Sequence, residues 1–485
     1  MIRILNNGRI TSRISNGGSY DGEKDMGDLN DWRLLSSDSN DILSGSYGLL
    51  TERSTTLYHT YGVVKAAVNK QVEYAIGDGL VFRSQPDSAT LGINKDDAKE
   101  WGKKFQKIVH YYSQEMNFYE KQAALFRSAL YSGDSLLFFE RDENGKLVDV
   151  IETLNNQINW DYNENGYTLG IKHDKWLRRK GIMKSDGTAI DFQDENGNQN
   201  VIQFYIKELA RQLRGYPLAY SVINLARNDD TYSDAKTHRA VMESIMVATA
   251  KLNGTDLDKQ LTSMANTNKV NKSKNTIIET ASNVIANVKK LGTGNILKLN
   301  NSEDFEFNDI KTASNNDDAF KKWNLNYVAM ATGTPPEVIL SKYESSFTAH
   351  KGALNDFVKS YTKKRKTFER TVMSVWIREV AKDAIAQGLI SAPGFFEGGK
   401  LIQQAYLQGM YLAPIVGHIN PLQEVNAQIK EVNAGFDLKS NMAARRGNEW
   451  TNFFPEWVEE MEEYNKVSPE YIAQQVFTNE NKESK

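Results

Sequence analysis

The sequence contains no cysteine, which excludes disulfides, thiolate nucleophiles, iron–sulfur clusters and zinc-thiolate sites. The same absence fits a reducing compartment. No apolar run approaches the roughly 18 to 20 residues needed to cross a bilayer. Met1–Ile10 mixes apolar residues with Arg and Asn where a secretion signal would be continuously apolar, so no membrane partner is expected. Strong charge of one sign is also missing. A net charge of −3 argues against wholesale wrapping of nucleic acid, so any DNA contact must be local or weak.

The usual catalytic signatures are lacking as well. The six histidines, His59, His110, His173, His238, His350 and His418, are dispersed, with no H-E-x-x-H pair to hold zinc. There is no G-x-x-x-x-G-K-[ST] phosphate loop, because Gly292-Thr293-Gly294 is not followed by the lysine that grips phosphates. A G-x-S-x-G nucleophile elbow is absent. Asp161, Asn163, Asn165 and Gly166 imitate the start of a calcium loop, but Lys172 stands at its twelfth position where a bidentate Glu is required, and the segment reads as a hairpin. No catalytic residue, metal or cofactor is expected, and the chain is read as a non-enzyme. A carboxylate-held metal of a nuclease or hydrolase, assembled only in three dimensions, stays open as a lesser alternative.

What is present is length and helical periodicity. At 485 residues, 40% of them hydrophobic and 10% aromatic, the chain is globular and long enough for two to four domains. Residues 1–55, rich in Gly, Ser, Asn and Asp, read as a partly disordered arm. From Tyr61 to Ile76, Val64, Ala67, Val68, Gln71, Val72 and Ala75 form one helical stripe, closed by Gly77-Asp78-Gly79 before a strand Leu80-Val81-Phe82. Lys99–Ser132 reads as helices and Gly133–Phe204 as an antiparallel sheet, with turns at Asn144-Gly145, Asn165-Gly166 and Asn196-Gly197. Tyr216–Ala250 is a further helix, entered through Arg214-Gly215-Tyr216-Pro217. Residues 251–310 form a small module whose first part, 251–301, holds eight lysines against two Asp and one Glu. That excess is either a solvated loop-rich insert or a docking surface for an acidic partner or DNA.

The most informative stretch is a pair of rods. Phe320, Trp323, Tyr327 and Met330 recur at steps of three and four, which places them on one helical face, and Gly333-Thr334-Pro335-Pro336 stops that helix. A polar loop follows. A second rod of about 60 Å at 1.5 Å per residue starts near Phe347 and carries Leu354, Phe357, Val358, Tyr361, Phe368, Val372, Val375, Trp376 and Val380. Its stripe is interrupted by Lys363-Lys364-Arg365-Lys366, either a solvated face or a passage into a charged environment. Farther on, Glu456, Glu459, Glu460, Glu462 and Glu463 make an acidic run that reads as a solvated face.

Taken in order, these pieces resemble the tailed-bacteriophage portal proteins of the lambda type. The likeness runs through Arg53-Ser54, Gly77-Asp78-Gly79-Leu80, Arg127-Ser128, Gly133-Asp134-Ser135 and Arg211-Gln212-Leu213-Arg214-Gly215-Tyr216-Pro217. It continues through Gly333-Thr334-Pro335-Pro336-Glu337, Phe347–Leu354 and Ile419-Asn420-Pro421-Leu422-Gln423-Glu424. His350-Lys351 departs from a small residue followed by Arg, and Asn420 from Asp.

The resemblance implies a mixed α+β fold: an α/β wing (56–215), stem helices (216–250 and 311–333), a small α/β clip (251–310), a tunnel loop (334–348), a long helix returning through the wing (347–387), a connector (388–421), helical crown (422–478) and a short tail (479–485). It implies a homo-oligomeric ring, usually a dodecamer, at one capsid vertex of the virion, built in the host cytoplasm and passing double-stranded DNA without sequence preference. The partners implied are the terminase large subunit, the major capsid or scaffold protein and a head–tail adaptor. Lys342, Tyr343, Glu344, Ser345, Ser346, Phe347, Thr348, His350 and Lys351 would face the DNA, though Tyr343 and Phe347 read equally well as packing residues. Lys269, Lys272, Lys274, Lys289 and Lys290 would belong to the motor-docking clip, and Phe320, Trp323, Tyr327 and Met330 to subunit packing in the stem. The alternative from another class is an oligomeric virion adaptor without a DNA channel.

Overall fold

A computed structural model describes residues 46–245, 317–342, 347–414 and 421–439, with short pieces at 3–4, 10–11, 40, 43, 249–252, 297–300, 442–443, 454–455 and 457–462. The architecture is mixed helix and sheet. It begins with α1 (Tyr47–Thr60) and α2 (Gly62–Ala75), followed by β1 (Val81–Ser84), α3 (Lys95–Glu115) and α4 (Phe118–Ser132). The stripe Val64, Ala67, Val68, Gln71, Val72 and Ala75 is buried as its spacing requires. It makes α2 the hub on which α1, α4 and the later helices pack.

Next come β2 (Asp134–Arg141) and β3 (Leu147–Leu154), joined at Asn144-Gly145, and β8 (Val201–Tyr205), giving an antiparallel sheet of order β8-β2-β3. Leu137 lies opposite both Ile202 and Glu152. Between β3 and β8 the chain makes a second sheet, the meander β4 (Tyr167–Thr168), β5 (Ile171–His173), β6 (Arg179–Met183) and β7 (Ala189–Asp191). The single sheet expected over 133–204 is therefore two. Asn165-Gly166 turns the chain just ahead of β4. The segment does contain a hairpin, but its turn is Leu169-Gly170, both at positive φ, between β4 and β5, and not the expected Asn165-Gly166; Asn163 directs its side-chain oxygen to the Leu169 N–H at 2.8 Å, which favours the later turn.

The helix expected from Tyr216 starts later, as α5 (Ile223–Ile245) behind a single 3-10 turn. Residues 249–252 pair parallel with 297–300. The first rod is α6 (Asp317–Thr332), and Gly333, at φ 68, ends it. Pro336 does not merely terminate: it opens a short helix, α7 (Pro336–Leu340), inside the stretch expected to be loop. A proline at the first helical position loses no hydrogen bond and already has helical φ, which explains the difference.

The second rod is α8 (Phe347–Phe368), a π turn at Glu369–Met373 and α9 (Ser374–Ala386). Its Phe357, Tyr361, Phe368, Val372, Trp376 and Val380 enter the main core. Trp376 stacks on Phe118 at 4.2 Å, and Phe368 meets Phe204 edge-on at 5.0 Å. Each such side chain contributes about 1.5–3 kcal/mol when taken fully out of water. The stretch after the rod contains α10 (Gly399–Leu407) and β9 (Gly409–Leu412), which pairs antiparallel with β1, and α11 (Pro421–Asn433) follows. Among the described residues no helix is long and apolar enough to cross a membrane.

Candidate assembly interface

The helices α5 and α6 are locked together by a buried polar knot. Asp229 of α5 accepts from Tyr61 Oη at 2.6 Å and from Asn324 Nδ2 of α6 at 2.6 Å. Burial first, and then the hydrogen bond and charge of Asp229, push the Tyr61 phenol up. Farther along, Asp317 receives both Tyr232 and Lys236, and Tyr232 sits edge-on to Phe320 at 5.0 Å. Asn324, Val328, Ala329 and Thr332 thus form the inner face of α6.

That assignment fixes where the aromatic stripe points. Phe320, Trp323, Tyr327 and Met330 share one face, as their spacing requires, and that face is outward, with exposures of 38%, 53%, 42% and 70%. The rings follow one another along the helix, Phe320 to Trp323 at 6.5 Å and Trp323 to Tyr327 at 5.5 Å. The four side chains thus form a contiguous exposed apolar ladder on a helix held firmly by its other side.

At the end of α6, Gln71 of α2 is fully buried and donates to the Thr332 carbonyl at 2.5 Å and to Thr334 Oγ1 at 3.0 Å. Its oxygen accepts from Lys364 Nζ of the long helix at 2.5 Å. Desolvation pushes the Lys364 ammonium down to about 8, against the pull of Glu208. Burial in turn raises the Glu208 carboxyl, with Lys364 and Lys363 opposing. Arg365 and Lys366 both turn to Glu369, at 3.5 and 2.7 Å. The basic interruption of the rod is therefore not uniformly solvated: Lys364 and Arg365 are half-buried, while Lys363 and Lys366 stay exposed.

Of the residues expected to face DNA, Lys342 is exposed just after Ser341, which takes a left-handed conformation at φ 52. His350 and Lys351 lie in the first turns of α8, partly exposed and exposed respectively. Tyr343, Glu344, Ser345 and Ser346, and the side chains of Phe347 and Thr348, lie outside the described residues. So do the clip lysines Lys269, Lys272, Lys274, Lys289 and Lys290. Among the described residues no group of three or more His, Asp or Glu is placed to hold a metal ion.

Sequence reasoning did not anticipate the joint that carries α5. Arg214 and Asp134, both fully buried, form a two-point ion pair at 2.6 and 3.1 Å. Asp134 also accepts from Tyr47 Oη and Gln203 Nε2, at 3.0 and 2.7 Å, while the Arg214 guanidinium lies 4.5 Å from the centre of the Tyr47 ring. Beside the pair the backbones of Gly133 and Gly215 touch, so that a Cβ on Gly215 would stand 1.9 Å from the Gly133 carbonyl oxygen. The signal was available: Gly133-Asp134-Ser135 and Arg214-Gly215 were among the fragments carrying the family resemblance, but nothing in the sequence said that they meet.

Comparison with known proteins agrees with that resemblance. The chain is 20% identical, over 90% of its length and 88% of the relative's, to the portal protein of Escherichia phage N15. Among solved structures it is similar to a chain of the virion of a native gene transfer agent particle, at 12% identity and a TM-score of 0.37, covering 83% of this chain and 93% of that one. A chain from the neck of such a particle, computed with C12 symmetry, gives 12% identity and a TM-score of 0.34, covering 81% and 93%. The family described as phage portal protein, lambda family, matches residues 26–365, more than half of the sequence, and the chain belongs to it.

Proposed function

We propose that identical copies of this chain close into a ring, most simply a dodecamer, at one vertex of a virion capsid and conduct double-stranded DNA through the centre during packaging and ejection. The observation that carries the reading is the aromatic ladder on α6, exposed on a helix whose opposite face is occupied by Asn324, Val328 and Thr332. A head-to-tail ring needs two different complementary faces on each subunit. The ladder is one of them, and its occupant is a second copy of the chain. In this reading α5 and α6 are the stem, 251–310 the clip that meets the terminase large subunit, 334–348 the tunnel loop, and 422–478 the crown. The outer α/β body, 56–215, meets capsid or scaffold protein, and a head–tail adaptor binds after packaging. The role is structural, in the assembling host cytoplasm and then in the virion.

A net charge of −3 over 485 residues suits a conduit. Each lysine–phosphate contact adds affinity by counterion release, and a strongly basic wall would hold the duplex still. The test is mass photometry and negative-stain microscopy of the full chain. Rings with a pore wider than the roughly 20 Å of a duplex support the reading, and Trp323→Glu with Met330→Glu then gives folded monomers. Monomers at every concentration and salt overturn it, and a ring with a closed centre favours the adaptor alternative.

A further inference from the structure

Between β1 and α3 lies a cavity of about 310 Å³ lined by Arg83, Ser84 and Ser88 on one side and Lys95, Lys99 and Lys103 on the other, with no carboxylate among the lining residues. The lysines recur one helical turn apart and stand on one face of α3. Like charges at that spacing destabilise a helix. Among the described residues none of the three has an ion-pair partner, whereas Lys104, outside the cavity lining, is neutralised by Glu100 at 2.8 Å. Lys104 and Lys107 of the same helix lie outside the lining, and the three lysines that line the cavity stand there with no carboxylate beside them.

The floor points the same way. Arg83 is only 8% exposed, which places a permanent positive charge beneath the lysines. The Ser84 N–H is held by Gln106 Oε1 at 3.4 Å, but its hydroxyl oxygen is shut off from solvent and has no hydrogen-bond partner among the described residues. A buried hydroxyl without a partner is costly unless something else satisfies it. The spacing of floor and wall is fixed at Gly102, where a Cβ would come within 3.0 Å of Pro86 and 3.4 Å of Ser84 Oγ.

We propose that this cleft is a phosphate-binding site, in which Lys95, Lys99 and Lys103 neutralise the anion and the Ser84 and Ser88 hydroxyls donate to it. Lysine binds phosphate as a point charge and tolerates several orientations. The group is supplied either by a DNA backbone or by a small free polyphosphate, and the site does not depend on the ring reading.

The test is calorimetric titration of the full chain with inorganic pyrophosphate in a low-salt, phosphate-free buffer. It is paired with fluorescence anisotropy of a labelled 25-base-pair duplex of arbitrary sequence. Saturable pyrophosphate binding is expected, weakened at least about tenfold in Lys99→Gln/Lys103→Gln by the loss of two charged contacts, and weakened less in Ser84→Ala. Gln keeps helix propensity and removes repulsion, so the double variant melts no lower than the parent. If pyrophosphate displaces the duplex, the source is the DNA backbone; if the duplex does not compete, it is a small anion. The absence of a binding heat, or equal affinity in the parent and the double variant, overturns the proposal.

Discussion

Replacing Asp134 by Ala tests whether the Arg214 joint holds the body together. In the parent, four hydrogen bonds converge on this carboxylate: two from Arg214 and one each from Tyr47 and Gln203. Both charged partners are fully buried. Removing one member of such a pair leaves an uncompensated charge out of water, at a cost of about 3–5 kcal/mol. The two orphaned neutral donors add on the order of 1 kcal/mol each where they cannot relax to water. A total of about 5–7 kcal/mol lowers the midpoint by about 10–14 °C at the roughly 2 °C per kcal/mol of a large domain.

The pair lies beside the small cluster of Leu43, Tyr47 and Leu169 against which Trp160 packs, and a urea titration followed by circular dichroism measures the loss. The double change Asp134→Leu with Arg214→Met is the discriminating control. It removes both charges and refills the space, and buried pairs exchanged for apolar groups are often near neutral, so it should be more stable than Asp134→Ala alone. A cost below about 1 kcal/mol for the single variant, or a double variant as unstable as the summed singles, refutes the coupling argued from burial and geometry.

Three further outcomes follow from the same contacts. Gly215→Ala forces a Cβ to 1.9 Å from the Gly133 carbonyl oxygen, so soluble yield should collapse, while Gly352→Ala, with nothing within 4 Å, should be tolerated by thermal melting. Lys364, held down to about 8, binds its proton less well folded than unfolded, so stability should rise from pH 8 toward 10.5 and be lost below. Urea titrations across that range should show Lys364→Met lacking a gain on the order of 2 kcal/mol. Deleting residues 342–346 should leave rings intact by negative-stain microscopy yet lower DNA packaged or retained per particle; loss of the rings would show that the segment belongs to the subunit contact.

Much of this arrangement could be read from spacing. The stripe on α2, the two rods and the Asn144-Gly145 hairpin all follow local rules, and local rules are written in the sequence. What escaped has a physical reason in each case. α1 begins inside the stretch taken for an arm because its buried face includes Thr51 and Ser54, so no apolar period announces it. β9 was hidden because a four-residue strand is recognisable mainly through its partner, and β1 lies far back along the chain. The stripe on α6 gave the right residues on one face, but periodicity cannot say whether that face meets a core or the outside. The inside is occupied by Asn324 and Thr332 together with the small Val328 and Ala329, a face too mixed to announce itself.

The same ambiguity of charge explains why the long helix is more than a packing element. Glu379 is fully buried and collects Arg141 at 2.8 Å, the Gln199 N–H at 3.1 Å and Lys382 at 3.1 Å. Asp383 takes Tyr112 Oη at 2.6 Å and the Leu147 N–H at 3.0 Å, tying α9 to α3 and β3. At the other attachment Lys364 reaches Gln71, and through it the turn at Thr334. Between these two anchors the rod spans about 28 Å at 1.5 Å per residue and is held at both ends. Ahead of Lys364 its turns alternate exposed and half-buried positions, with Phe357 and Tyr361 fully buried and Leu354 and Val358 packed against the core. The rod is therefore bound into the body by buried charge and hydrogen bonds over its far half and by apolar side chains ahead of Lys364.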